Sequence, residues 1–241
     1  MMRKHPYEIL LDRKRKWSPV KPTVGTLKDG SEDTIRRALA ARHLELPVGA
    51  FITEGLEKTV PNNARRLLES NVEDEIRHDT ALQYIVNALG ADEKAEHEAK
   101  RLRDAWIEHP DHTITKALVA ERAIFFVILP FFRFSGDSGT RTVSADISRD
   151  EQIHVATNSL VCREFGLSAS QSLDKLRKAT INWIMEPLSI NTTDKYLDKK
   201  FWLDASDRLM YEGKAPEFSD TQRARMPAFF EHANTNLPKY A

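Results

Sequence analysis

An all-α fold is predicted by three features: only nine glycines in 241 residues, long stretches in which apolar residues recur every 3.6 positions, and almost no strand-type alternation. The pattern predicts helices over about 31–58, 62–89, 91–108, 112–134, 140–165, 168–186, 192–212 and 219–233. Between them stand "DGS", "PNN", "LGADE", "HPDH", "SGDSG" and "FGLSAS", the Gly, Pro, Asn and Ser clusters expected at helix breaks. Ser31 and Ser168 suit N-caps, and Gly90 and Gly166 suit left-handed C-caps. Pro47 and Pro130 fall inside predicted helices and should kink or locally unwind them. No repeat, low-complexity tract or long linker divides the chain. A single helical domain over 1–241 is expected, with an N-terminal arm at 1–28 and a C-terminal tail at 234–241.

Composition narrows the function classes. Residues are 41% hydrophobic and 30% charged, and 36 Lys and Arg balance 36 Asp and Glu. A neutral chain offers no general case for nucleic acid or an anionic membrane as partner. The arm is the local exception, with Arg3, Lys4, Arg13, Lys14, Arg15, Lys16 and Lys21 against Glu8 and Asp12. A lone cysteine, Cys162, excludes an internal disulfide and a cysteine zinc site, and its apolar setting predicts an inert core thiol. "MMRKHPYEIL" lacks the apolar core of a signal peptide. "AIFFVILPFF" is ten residues long and interrupted by Pro130, well short of the roughly 20 needed to cross a bilayer. A soluble, cytoplasmic protein is expected.

The apolar stripes carry the informative residues. One runs Ile35, Ala38, Ala41, Glu45, Val48, Ile52. A second runs Leu68, Val72, Glu75, His78, Leu82, Ile85, Leu89. A third is Ile114, Leu118, Glu121, Phe125, Ile128, and a fourth is Ile147, Glu151, His154, Asn158, Val161. Four helices thus turn a glutamate inward, and two add a histidine one turn later. Glu54 and Glu57 compete with Glu45 but sit on a weaker stripe.

Electrostatics makes this pattern point to metal. Two like charges about 4 Å apart at an effective dielectric near 20 repel by roughly 4 kcal/mol. Four clustered carboxylates would then repel by more than an entire fold is worth, unless protonated or neutralised. Two divalent cations balance four carboxylates, and hard oxygen donors with two imidazoles suit iron or manganese. Glu45 precedes Glu75 by 30 residues, and Glu121 precedes Glu151 by 30, the spacing of ligands at one height on antiparallel neighbours. Glutamates from two helices with Glu-x-x-His from two others resemble the ligand set of ferritin-like di-iron and di-manganese carboxylate proteins.

The segments themselves resemble a particular family. "ISRDEQIHV", "EDEIRHD" and "AERAIFFVIL" are similar to ligand helices of the small, radical-generating subunit of class I ribonucleotide reductase, over about residues 17 to 160. That resemblance implies a ferritin-like bundle with Glu45, Glu75 and His78 on one metal and Glu121, Glu151 and His154 on the other. It makes Asp150 the carboxylate that orients His78, and Trp17 in "KRKWSP" a station on the electron route. Phe125 and Leu82 would flank the metals, and Tyr240 would be the relay tyrosine of the tail. The family's radical tyrosine stands four residues after the first ligand histidine, where this chain has Leu82; Tyr84 lies about 200° away round the helix. The oxidising equivalent would therefore sit on the metals, as in the subclass with a mixed manganese–iron centre.

The resemblance implies a homodimer that passes an oxidising equivalent to a separate large subunit for deoxyribonucleotide synthesis. One cysteine and no phosphate-binding glycine loop leave this chain without a nucleotide-reducing site of its own. The competing expectation is a ferritin-like dimetal oxygenase or oxidase with its own small substrate, which Leu82 favours by opening space. Metal storage or a purely structural bundle is the third, disfavoured by helices beyond the four-helix core.

Overall fold

The computed structural model describes residues 4–22, 25–58, 62–190, 192–215 and 218. Its helices are α1 (Pro6–Leu11), α2 (Glu32–Ala40), α3 (Glu45–Lys58), α4 (Asn62–Leu89), α5 (Glu93–Glu108), α6 (Thr113–Ala120), α7 (Phe126–Ser135), α8 (Ser138–Glu164), α9 (Gln171–Ile184) and α10 (Lys199–Glu212). Helices α3, α4, α8 and α6 pack in a ring, each against the next, around a core of fully buried side chains such as Ile52, Leu68, Ile114 and Ile147. Helices α9 and α10 cover the end of α6 and α7, and α1 lies on α4 and α8. This is the all-α, ferritin-like bundle the inward-facing residues predict. Among the described residues no helix is long and apolar enough to cross a membrane.

Helix α4 runs over the predicted residues without interruption. Two other predicted helices are broken, both at inward-facing glutamates and both near the prolines expected to kink or unwind them. The stretch 31–58 divides at a 3₁₀ turn, Ala41–Leu44, and α3 restarts at Glu45. Pro47 explains the restart: its ring would clash with the carbonyl of residue 43, but in the first turn its missing N–H costs nothing. The stretch 112–134 contains a π-helical turn, Glu121–Phe125, before α7 begins. Phe126, whose carbonyl the Pro130 ring would meet, has ψ at 0° rather than a helical value. A π turn adds a residue to one turn and re-aims the side chains on it.

Three smaller expectations are corrected. Ser31 stands at the start of α2 without capping it; its hydroxyl donates to Lys28 O at 2.6 Å. Ser170, not Ser168, caps α9, its Oγ accepting from Leu173 N at 3.2 Å. Helix α10 begins at Lys199, seven residues after the predicted 192, with Asp198 accepting from Lys200 N. Within the N-terminal arm the chain forms α1. Predicted helix 219–233 and the tail at 234–241 lie outside the described residues.

The α7–α8 corner is tight. A Cβ on Gly136 would fall 2.5 Å from the Phe132 carbonyl oxygen and 2.8 Å from Thr140 Cβ. Gly136→Ala should therefore cost about 1–3 kcal/mol of stability by forcing the corner apart. Chemical denaturation of the two proteins checks this, and equal midpoints would contradict it.

Candidate metal centre

Each wall of the ring contributes to one buried cluster. Glu45 opens α3, Glu75 and His78 lie one turn apart on α4, Glu121 opens the π turn after α6, and Glu151 and His154 lie one turn apart on α8. All six are 0–1% exposed. Glu54 and Glu57, the rivals of Glu45, are exposed. The Gly49 backbone lies beside Glu75, 3.5 Å from its Cβ measured from where a Cβ would stand, which keeps α3 close to α4.

The ring nitrogens define two positions. His78 Nδ1 lies 3.3 Å from Glu151 Oε1, 3.6 Å from Glu75 Oε2 and 3.7 Å from Glu45 Oε2. His154 Nδ1 lies 3.0 Å from Glu75 Oε1, 3.6 Å from Glu121 Oε1 and 3.7 Å from Glu151 Oε1. Glu75 thus presents one oxygen to each histidine, and one oxygen of Glu151 faces both. The donor atoms fall into two groups, Glu45, Glu75, His78 and Glu151, and Glu75, Glu121 and His154. The division expected from the sequence, Glu45, Glu75 and His78 against Glu121, Glu151 and His154, gains from the geometry that Glu75 and Glu151 each face both histidines. Helix spacing gives the height of a ligand, while the crossing of α4 and α8 decides that these two carboxylates span the gap.

The donors fit metal ions on a structural test. Both oxygens of Glu45, Glu75 and Glu151, Glu121 Oε1 and Nδ1 of both histidines are buried without a hydrogen-bond partner. Leaving so many polar atoms unsatisfied is costly unless something else fills the space between them. Two buried hydroxyls on α8, Ser148 and Thr157, by contrast donate to carbonyls within their own helix at 2.6 and 2.7 Å.

Each histidine is also held from behind, so that Nδ1 points inward. His78 Nε2 bonds Asp150 Oδ2 at 3.2 Å, and the same oxygen accepts from Trp17 Nε1 at 2.7 Å. The Trp17 and His78 rings stack at 6.2 Å, as do the His78 and His154 rings at 5.6 Å. His154 Nε2 bonds Asp74 Oδ2 at 3.0 Å. The two Asp-Glu-x-x-His segments, 74–78 and 150–154, are therefore cross-paired, the aspartate of each holding the histidine of the other. A ligating imidazole needs such a partner to fix its tautomer.

Asp74 is a site residue that the sequence reading missed, although the repeated Asp-Glu-x-x-His was its visible signal. Lys14 was missed with no such signal. Its ammonium bonds Asp74 and, at 2.8 Å, Asn71 Oδ1, and Arg77 bonds the same aspartate. Burial pushes the Lys14 pKa down to about 8, against the pull of Asp150 and Glu75. Leu82 and Phe125 are fully buried in the same core. Cys162 is buried, its thiol pushed up to about 11 by that burial, as an inert core cysteine should be. Tyr240 lies outside the described residues.

Protons accumulate in the cluster. Burial, together with the charge of Glu75, raises the Glu45 pKa well above its usual value. Burial, then Glu151, raises that of Glu121. Burial opposes charge on His78 and His154, yet the surrounding carboxylates raise both above the usual imidazole range. The opposite holds for Glu75, which the two imidazoles depress despite its burial. The raised groups bind protons in the metal-free protein, so metal uptake must expel protons and its affinity must increase with pH. Titration with manganese(II) in weak buffer at about pH 6 and about pH 8 should show proton release and tighter binding at the higher pH. An affinity independent of pH would contradict this.

No protein-family model matches the sequence, and no curated protein matches it. Among solved structures the chain is similar to one from Bacillus halodurans described as a "putative class I ribonucleotide reductase", with a TM-score of 0.57 and 14% identity. The match covers 86% of this chain and 88% of that one. At that identity the likeness shows a shared fold, the bundle on which the cluster is built.

Proposed function

We propose that this chain binds two divalent transition-metal ions, iron or manganese, and serves as the radical-generating small subunit of a ribonucleotide reductase. Glu45, Glu75 and His78 would hold one ion and Glu121, Glu151 and His154 the other, with Glu75 and Glu151 reaching both. Bound there, such ions supply a strong one-electron oxidant after reaction with dioxygen or a reduced oxygen species. The surrounding apolar core excludes water, and Leu82 offers no ring to oxidise, so an oxidising equivalent would have to be held by the metals themselves.

The observation that carries this reading is the hydrogen-bonded chain from His78 through Asp150 to Trp17. One carboxylate oxygen joins the imidazole to the indole, at 3.2 and 2.7 Å, and the indole is only half-buried. A site that only had to oxidise a substrate in its own pocket has no use for such a path. Trp17 and Asp150 would lead the electron hole outward, and Tyr240 would relay it to a large subunit that reduces ribonucleotides. Two copies of this chain would make up the small-subunit homodimer. The second reading, a dimetal oxygenase or oxidase, draws on Leu82, a buried aliphatic residue four positions after His78.

The test is nucleotide reduction by the metal-loaded chain mixed with a ribonucleotide reductase large subunit, followed by electron paramagnetic resonance. Deoxyribonucleotide formation without a tyrosyl signal is the expected result. No nucleotide reduction, together with oxidation of a small substrate by the chain alone, would favour the second reading.

A further inference from the structure

The cross-paired segments make the cluster nearly symmetric, and the N-terminal arm breaks that symmetry. Behind His78, Asp150 receives a neutral N–H from Trp17. Behind His154, Asp74 receives two cations, the Lys14 ammonium and the Arg77 guanidinium. Lys14 Nζ bonds Asp74 and Asn71, while Asp150 acts on it only at longer range, and its side chain is only 9% exposed. The inner donors lean slightly the same way. Glu151 Oε1, which faces both histidines, lies 3.3 Å from His78 Nδ1 and 3.7 Å from His154 Nδ1. Glu121 is further weakened as a donor because Asn158 Nδ2 bonds its Oε2 at 2.7 Å.

A buried cation one imidazole away from a dication repels it, and it draws charge from the carboxylate that makes the imidazole a good ligand. We propose that Lys14, assisted by Arg77, makes the two metal positions unequal, so that the His78 position fills first and the His154 position fills at higher metal concentration. Lys14 is then a specificity-determining residue of the centre. It lets one site hold two ions of different kind or charge, the more anionic His78 position taking the one that carries more positive charge. This inference rests on the two-metal reading above.

Calorimetric titration of the full-length, metal-free protein with manganese(II) tests it. Wild type should show two binding events separated by roughly ten-fold or more in dissociation constant. In Lys14→Met the weaker event should tighten by roughly ten-fold while the stronger changes little, and Lys14→Arg should restore the wild-type gap. Lys14 acting only as a packing residue predicts the opposite sign, since loosening the arm would weaken binding. Weaker or unchanged second binding in Lys14→Met would overturn the inference, as would two equal events in wild type. Should Lys14→Met fail to fold, Arg77→Met removes the other cation and should shift the second event in the same direction; a weakened or unchanged event there overturns the inference too. Fewer than one ion bound by wild type would instead overturn the two-metal reading itself.

Discussion

Glu151→Ala is expected to reduce the metal held after loading and desalting from about two ions per chain to fewer than one. Its Oε1 lies 3.3 Å from His78 Nδ1 and 3.7 Å from His154 Nδ1, so its loss strips a donor from both positions at once. The metal-free fold should survive. Glu151 is fully buried and accepts no hydrogen bond, and the two imidazoles beside it can release their protons once it is gone, so its loss leaves no unpaired charge behind. Elemental analysis reads the first effect, and thermal melting of the metal-free proteins reads the second. A variant that binds as much metal as wild type, or that melts lower only when metal-free, would contradict the assignment.

Trp17→Phe is expected to separate the centre from its output. Phenylalanine keeps an aromatic ring to stack on His78 but loses the N–H that Asp150 accepts at 2.7 Å. Metal content should stay close to wild type, because Asp150 still holds His78. Nucleotide reduction with the large subunit should fall by roughly 10–100-fold, the usual cost of losing a hydrogen bond behind a metal ligand. Elemental analysis and a turnover assay on the same preparation check both halves. Unchanged turnover would remove Trp17 from the route, and lost metal would make it a structural support of the site.

How far the sequence exposes this site depends on which interaction sets each feature. The inward glutamates and histidines were legible because a 3.6-residue period reports directly which face of a helix is buried. Helix α4 was legible to its ends for the same reason. The 3₁₀ turn before Glu45 is hidden by that very periodicity, since Ala38, Ala41 and Glu45 keep to one stripe through it. Only Pro47 marks the spot. The π turn at Glu121 is hidden likewise, because Glu121 and Phe125 keep to one stripe, and Pro130 is its one local sign.

Relations between helices were harder to read. The 30-residue spacings predict that the glutamates meet, but not that Glu75 and Glu151 lie between both histidines, which depends on how α4 crosses α8. Family resemblance points to Asp150 behind His78 but not to Asp74, which plays the same part behind His154 in a second Asp-Glu-x-x-His. Lys14 lies 57 and 60 positions from Asn71 and Asp74, and no local pattern connects them. From sequence it is one charge in a basic arm, whereas in the structure it is a buried cation against the back of the centre.

Metal content of the wild-type protein tests the central claim most directly. The metal-free chain is loaded anaerobically with iron(II) or manganese(II), passed through a desalting column and analysed for both elements. The account predicts about two ions per chain. Fewer than one ion per chain would contradict it, because the buried, unpaired carboxylates and imidazoles would then have no cation to explain them.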